Sequence, residues 1–144
     1  MIRRARIEDM ERVAEIALKM WKDNTLEGLI REFEGFIQDE EKAVFVSEES
    51  SVVVGFAYAS LRHDYVEGTE TSPVGYLEGV FVEEVNRQQG VARCLVAACE
   101  NWAKEMGCSE FASDCELENT ASEAFHKSIG FEESNRIICF TKKL

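Results

Sequence analysis

The residues of this chain best suited to bind a ligand form a short turn, Arg87-Gln88-Gln89-Gly90-Val91-Ala92, between an apolar strand and an amphipathic helix. A helix that begins here presents unpaired backbone N–H groups, and the positive end of its dipole, to whatever lies in front of it. Gly90 can adopt a positive φ, and neither Gly90 nor Ala92 has a side chain large enough to hold the backbone away from phosphate oxygens. The turn therefore predicts an anion site that fits a pyrophosphate.

A carboxylate lies in the strand just before this turn. Glu78 interrupts the apolar run from Gly75 to Val82, and an acidic residue inside such a strand needs an explanation. Because strand side chains alternate, we expect Glu78 and Val80 to share one face. Glu78 could attract an ammonium group and take its proton, or it could pair with a neighbouring arginine for structural reasons.

Further motifs extend along the whole chain. They are RHDYV (62–66), SPVGYLEGVFV (72–82), RQQGVA (87–92), ASDCELENT (112–120) and IGFEE (129–133). Together they resemble the aminoglycoside 6'-N-acetyltransferases of the GCN5-related N-acetyltransferase (GNAT) family. The acetyl-CoA signature of that family has Gln or Arg, then two residues, Gly, one residue, and Gly or Ala.

The resemblance implies an acetyl-CoA-dependent enzyme that moves an acetyl group to the 6'-amine of an aminoglycoside by direct attack in a ternary complex. It implies that Glu78 contacts the aminoglycoside and that the N–H of Val80, Phe81 or Val82 lies near the thioester carbonyl. We expect Glu78 to take the proton of the amine and, of the three amides, Val80 to hold the oxyanion. It places acetyl-CoA against Phe81, Val82, Arg87, Gln88, Gln89, Gly90, Val91, Ala92, Arg93 and Asn119. It places the acceptor against Trp21, Tyr65, Glu78 and Asp114, with no metal ion.

One departure from the family concerns the acid that protonates the leaving thiolate. Many relatives have a tyrosine seven residues after the asparagine that matches Asn119, and this chain has His126 there. A histidine could donate the proton near neutral pH, or His126 could be a packing residue. Asn119 could contact the cofactor and also cap the following helix. Two alternatives stay open: acetylation of a polyamine, an amino sugar or a protein lysine, and a catalytically silent CoA-binding module.

Composition limits the partners. The net charge of −12 argues against nucleic acid and anionic membranes, which require a basic face, and favours a cationic substrate. The same charge is also typical of an ordinary soluble surface. Five cysteines without a CxxC pair predict reduced, buried thiols, with neither disulfides nor zinc. Without an apolar leader or membrane segment, we expect a cytoplasmic protein.

The elements that position these residues follow from periodicity. We expect strands at 2–6, 43–48, 51–61, 75–82 and 110–115, with terminal strand structure at Phe131 and 137–141. Helices are expected after Glu8, over 26–38, from Val91 to a C-cap at Gly107, and from Asn119, where Thr120 and Glu123 have capping-box spacing.

Together these elements predict one α/β domain over residues 1–144, with a mixed sheet because the 43–61 hairpin must be antiparallel. The resemblance adds a bent, mostly antiparallel sheet with about four helices, strands 4 and 5 splayed to receive the pantetheine arm, and a homodimer. The C-terminal residues Ile137, Ile138 and Phe140 are apolar enough for the dimer interface or for an ordinary core.

Overall fold

A computed structural model describes all 144 residues as a five-stranded sheet with helices on both faces. The strands are β1 (Ile2–Arg4), β2 (Lys42–Glu49), β3 (Val52–Arg62), β4 (Val74–Val82) and β5 (Phe111–Ser113). The helices are α1 (Met10–Met20), α2 (Leu26–Gln38), α3 (Val91–Glu105) and α4 (Thr120–Ser128), with 3₁₀ turns at Ile7–Asp9 and Glu84–Asn86.

The strands lie in chain order, β1-β2-β3-β4-β5. The first four are antiparallel to their neighbours and β5 is parallel to β4, which confirms the predicted mixed sheet. β5 pairs only with Gly75–Leu77, so residues 78–82 of β4 have no strand beside them on that side. We call this stretch the open edge, and it agrees with the expected divergence of strands 4 and 5.

Two apolar clusters hold the helices against the sheet. α1 and α2 cover one face, where Val13, Phe33 and Phe56 are completely buried. α3 covers the other face through Leu95, Cys99 and neighbouring side chains. We call these the α1/α2 face and the α3 face.

Local signals set several boundaries. The hairpin turn is Ser50-Ser51, both with positive φ, one residue later than expected. Gly107 ends α3 at φ 91°, as predicted for a C-cap. At α4 the cap is Asn119, whose side chain accepts a hydrogen bond from the N–H of Ser122 at 3.1 Å, so the expected capping box at Thr120 is displaced by one residue.

The expected terminal strands are absent from this single chain. The chain has no strand after β5, and Ile137, Ile138 and Phe140 are 68%, 81% and 88% exposed. The β-forming residue types are present, but strand propensity alone does not determine whether a segment pairs with the sheet. The prediction of strands at Phe131 and 137–141 is therefore wrong for the isolated chain.

The cysteines only partly match the expectation of buried thiols. All five are free, and Cys99 and Cys108 are buried, but Cys94, Cys115 and Cys139 are exposed. Burial raises the pKa of the Cys99 thiol above its ordinary value. None of the helices combines the length and the apolar composition that crossing a bilayer requires.

Candidate active site

The turn between β4 and α3 leaves a run of backbone amides unpaired. No N–H group from residue 88 to residue 93 donates to an acceptor within the chain, and the helical pattern starts with Cys94, which donates to the carbonyl of Gly90 at 3.1 Å. Gly90 is the N-cap of α3, with φ 79°. These amides belong to a helix N-terminus, so the arrangement suits an anion.

Glycine is favoured at the cap by its backbone conformation. A side chain strains backbone in this left-handed conformation. A Cβ at Gly90 would meet no protein atom within 4 Å, so the space beside the turn is open to a ligand. The residues present therefore fit a diphosphate group, as expected from the sequence.

Arg87 and Arg93 differ in how they are bonded within the protein, and so in which N–H donors remain free for a ligand. Arg87 donates from Nε to the carbonyl of Val82 at 2.8 Å and lies over the ring of Phe81, while its terminal nitrogens have no protein partner. Arg93 donates to the carbonyl of Ser128 at 3.1 Å and so ties the end of α4 to α3. Arg87 is consequently the better placed of the two to contact an anion at the turn.

The hydrogen-bonding pattern of β4 determines which amides face the open edge. The N–H of Glu83 donates to the carbonyl of Val54 at 2.8 Å, and in an antiparallel pair the residues that point toward the partner strand alternate. Phe81 therefore points its amide toward β3, whereas Val80 and Val82 point theirs outward. This geometry favours Val80 and Val82 over Phe81 as donors to a ligand along the open edge.

Glu78 lies at a β-bulge. Tyr58 pairs with Gly79 and Ala59 pairs with Leu77, so Glu78 has no partner in β3. A bulge changes the alternation of side chains. Glu78 faces the α1/α2 side, where it lines a cavity, whereas Val80 packs with the cluster under α3. The expectation that the two residues share one face is thus wrong, because the extra residue in β4 changes the direction of the side chain.

Two side chains of β3 hold the Glu78 carboxylate. Ser60 donates to Oε1 at 2.7 Å, and Arg62 donates from Nε to Oε1 at 3.0 Å and from a terminal nitrogen to Oε2 at 2.9 Å. Although partial burial acts to lower it, the hydrogen bonding to Glu78 raises the pKa of the Arg62 guanidinium. The ion pair between Glu78 and a neighbouring arginine, one of the two alternatives from the sequence, is therefore present. The Glu78 side chain nevertheless remains 21% exposed.

The same arginine connects Glu78 to the second predicted acidic contact. The Arg62 guanidinium lies 3.5 Å from the centre of the Tyr76 ring, and the Tyr76 hydroxyl donates to Asp114. Burial, and then the hydrogen bond to Asp114, raise the pKa of the Tyr76 phenol. We call Ser60, Glu78, Arg62, Tyr76 and Asp114 the polar chain.

The cavity beside Glu78 has a volume of about 280 Å³. Its lining is Trp21, Asn24, Leu29, Glu32, Phe36, Tyr58 and Glu78. Trp21 contributes to this site and to packing, since its ring is stacked on Phe33 and a Cβ at Gly79 would lie 3.0 Å from it. Tyr65 is 77% exposed and does not line this cavity.

Sequence reasoning missed Ser60, Arg62, Tyr58 and Glu32 as neighbours of Glu78. Glu32 comes from α2, and no local spacing relates it to a strand residue far along the chain. Ser60 and Arg62 come from β3, and their contact with Glu78 depends on a pairing register that the long loop between β3 and β4 does not fix.

His126 lies on α4 and bonds through both ring nitrogens. Nδ1 lies 2.7 Å from the carbonyl oxygen of Ser122, and Nε2 lies 2.8 Å from the hydroxyl oxygen of Ser113. The hydroxyl of Ser113 also lies 3.2 Å from the carbonyl oxygen of Leu77. His126 is therefore connected to the last residue of β5, which sequence reasoning did not single out.

Comparison with known proteins identifies the family. Residues 10–131 match the sequence profile of the acetyltransferase (GNAT) family, and the chain belongs to that family. It is also 42% identical, over 125 residues, to the aminoglycoside N(6')-acetyltransferase type 1 of Salmonella typhimurium, across 87% of this chain and 86% of the relative. The enzyme of that name from Stenotrophomonas maltophilia is 40% identical over 144 residues, across 99% and 93%.

Solved structures agree with this assignment. The aminoglycoside N-acetyltransferase AAC(6')-Iy in complex with CoA superposes with a TM-score of 0.97 at 38% identity, covering 100% of this chain and 95% of that one. AAC(6')-Iy in complex with the bisubstrate analogue CoA-S-monomethyl-acetylneamine gives a TM-score of 0.95 at 38% identity, covering 100% and 98%. The expected family and fold are confirmed.

Proposed function

We propose that this chain is an aminoglycoside 6'-N-acetyltransferase that uses acetyl-CoA and joins both substrates before the acetyl group moves. The observation that carries the proposal is the organisation of β4. This strand ends at the anion turn, exposes amides along its open edge, and directs Glu78 into a cavity at its bulge. The relatives named for this activity support the same reading.

The donor substrate binds at the α3 end of the site. The free amides of residues 88–93 hold its diphosphate, and the terminal nitrogens of Arg87 add positive charge. The pantetheine arm pairs with the outward N–H of Val82 as an additional strand would, which leaves the N–H of Val80 free. Asn119 caps α4 through its side-chain oxygen, which leaves its amide nitrogen free to donate to the same arm.

The N–H of Val80 holds the oxyanion as the acceptor amine attacks. It points outward from β4, and a backbone amide in a strand is already fixed before reaction, which is what stabilisation of developing charge requires. Val82 lies two residues closer to the anion turn and serves the pantetheine arm.

The cationic acceptor binds on the α1/α2 face. Glu78 attracts its 6'-ammonium group and takes the proton, directly or through a water, while Arg62 stays bound on the other side of the carboxylate. Asp114 holds a second ammonium group, and Trp21 packs against the sugar ring. Tyr65, which is exposed on the loop that follows β3, contacts the part of the acceptor that extends outside the cavity.

Turnover with chosen acceptors tests this function. We expect thiol release from acetyl-CoA with kanamycin, tobramycin and neomycin. Paromomycin is the matched control, because it differs from neomycin by a hydroxyl in place of the 6'-amine, and it should give little turnover. Turnover with spermidine or a lysine peptide alone would instead assign another acceptor class. Tight CoA binding without turnover on any amine would identify a silent binding module.

We propose antibiotic resistance as the selected role and the cytoplasm as its location. Free, exposed cysteines and the use of acetyl-CoA suit a reducing compartment. Expression in a susceptible bacterium should raise the inhibitory concentration of tobramycin but not of paromomycin. Cell fractionation that recovers the protein outside the cytoplasmic fraction would contradict the location.

We also propose that residues 1–144 act as one acetyltransferase domain and that two copies form a homodimer. The support for a dimer is the exposed apolar run Ile137, Ile138 and Phe140, which is unpaired in the single chain. Light scattering should give twice the chain mass, and Ile138→Glu should shift the protein toward monomer. A wild-type monomer at micromolar concentration would contradict the dimer.

A further inference from the structure

We infer that Ser113 delivers the proton to the departing thiolate and that His126 supplies it through Ser113. This inference rests on the proposed acetyl transfer, and it concerns the step for which many relatives carry a tyrosine. It replaces direct protonation by the imidazole with a two-residue relay.

The first argument is that His126 has no ring nitrogen left for a substrate. Nδ1 faces the carbonyl of Ser122 at 2.7 Å, and since a carbonyl only accepts, Nδ1 must carry a proton. Nε2 faces the Ser113 hydroxyl at 2.8 Å. A proton that leaves His126 from Nε2 therefore passes to the oxygen of Ser113.

The second argument is the place of Ser113 in the sheet. Ser113 is the last residue of β5 and pairs with Leu77, the last residue of β4 that has β5 beside it. Its hydroxyl therefore lies where the open edge begins. Along that edge Val80 is the proposed oxyanion donor, so a thioester held there brings its sulfur to the region between β4 and β5.

The third argument is that the Ser113 hydroxyl has one proton and two acceptors. When His126 is neutral, the hydroxyl donates to Nε2; when His126 is protonated, Nε2–H donates to the Ser113 oxygen and the hydroxyl is free to donate to the carbonyl of Leu77 at 3.2 Å. In the second arrangement the hydroxyl proton of Ser113 points away from His126, as its transfer to the substrate sulfur requires.

The rings of Phe125 and Phe131 flank the imidazole, with centroids 6.0 and 5.2 Å away, and limit its freedom to rotate.

The proton balance is complete. Acetylation removes two protons from the acceptor ammonium, one before attack and one as the amide forms. The C–S bond breaks, the sulfur takes the Ser113 hydroxyl proton, and the Ser113 oxygen takes the proton of Nε2. His126 ends neutral and regains a proton from the solvent. Glu78 passes the two amine protons to the solvent in turn, so the net products are the amide, the thiol and one released proton.

Steady-state kinetics with acetyl-CoA and kanamycin test the relay. We expect Ser113→Ala to lower kcat about 100-fold, the low end of the range for loss of a general acid, with the KM for acetyl-CoA within about 2-fold of wild type. Ser113→Thr keeps the hydroxyl and should retain most of kcat. Ser109→Ala is the matched control, because its exposed hydroxyl near β5 contacts only Thr71.

The double variant separates a relay from a structural role. If the two residues form one path, Ser113→Ala with His126→Gln should be no slower than the slower single variant. CoA binding by calorimetry and the melting temperature confirm that each variant is folded. Active wild type with unchanged kcat in Ser113→Ala, or losses that multiply in the double variant, would overturn the relay alone. Wild type inactive on every amine would overturn both the relay and the proposed function.

Discussion

The two faces of β4 differ in how they present groups to a ligand. On the α3 face, Leu77, Val80 and Val82 pack into an apolar cluster, and the groups left for a ligand are backbone amides at the open edge and at the turn. On the α1/α2 face, the groups are side chains, with Glu78 held by Ser60 and Arg62. In the proposed function, this strand contacts one ligand through its backbone and the other through its side chains.

The bulge at Glu78 makes this division possible. In a regular strand Glu78 and Val80 would share a face, and the carboxylate would enter the apolar cluster under α3. The extra residue in β4 directs Glu78 and Gly79 to the same side, where Gly79 lies against Trp21. The Glu78 carboxylate consequently faces α1 and α2, while the backbone N–H groups of Val80 and Val82 point outward from the open edge in the plane of the sheet.

The largest expected effect concerns Glu78, whose side chain faces α1 and α2. Glu78→Gln keeps the shape of the side chain but removes the proton acceptor, and we expect kcat to fall at least about 100-fold with acetyl-CoA affinity unchanged. Glu32→Gln is the control, because Glu32 lines the same cavity without touching Arg62. Similar turnover in Glu78→Gln and Glu32→Gln would remove Glu78 as the base.

The next largest effect concerns Gly90 and the free backbone amides of the anion turn. Gly90→Val places a branched side chain at φ 79° beside the free amides, so the KM for acetyl-CoA should rise about 10- to 100-fold with little change in the KM for kanamycin. Gly35→Ala is the control, since its Cβ meets nothing within 4 Å and α2 tolerates it. An unchanged KM for acetyl-CoA in Gly90→Val would place the diphosphate elsewhere.

Arg62 tests whether the polar chain organises the acceptor side. Arg62→Gln removes both guanidinium bonds to Glu78 and the cation over Tyr76, and charge-assisted hydrogen bonds of this kind contribute about 1.5–3 kcal/mol. We expect kcat/KM for kanamycin to fall about 10-fold, partly restored in Arg62→Lys, with the KM for acetyl-CoA unchanged. A fall in acetyl-CoA affinity instead would show that the two faces are not independent.

Most of the features that depend on the backbone, namely the anion turn and the mixed sheet, could be predicted from the sequence. The anion turn is local: a strand, a glycine and a helix start within a few residues of one another determine the free amides. The mixed sheet followed from periodicity and from the short hairpin. These features depend on neighbours in the chain, and the resemblance to known acetyltransferases reinforced them.

The arrangement of side chains around Glu78 could be predicted only in part. Glu78 and Asp114 were found, but the bulge that directs Glu78 depends on the pairing register of β3 with β4, and the residue pattern does not mark it. The contact of Ser113 with His126 joins the end of β5 to α4 across a loop. The predicted C-terminal strands are the clearest miss: residues after β5 include β-forming types, but strand propensity does not fix pairing, and no strand follows β5.

The smallest expected effect distinguishes ring packing from hydrogen bonding within the polar chain. Tyr76→Phe keeps the ring beneath Arg62 but removes the hydroxyl that donates to Asp114. A hydrogen bond to a carboxylate contributes about 1.5–3 kcal/mol, but this one orients Asp114 and does not contact the acceptor, so only part of it should affect binding. The KM for kanamycin should rise about 2- to 10-fold while kcat and the KM for acetyl-CoA stay unchanged. Asp114→Asn tests the partner, and it should cost more than Tyr76→Phe because it also removes the charge that attracts the acceptor. If Tyr76→Phe instead lowers kcat as far as Arg62→Gln does, the hydroxyl and the guanidinium position Glu78 together, and the acceptor side works as one unit.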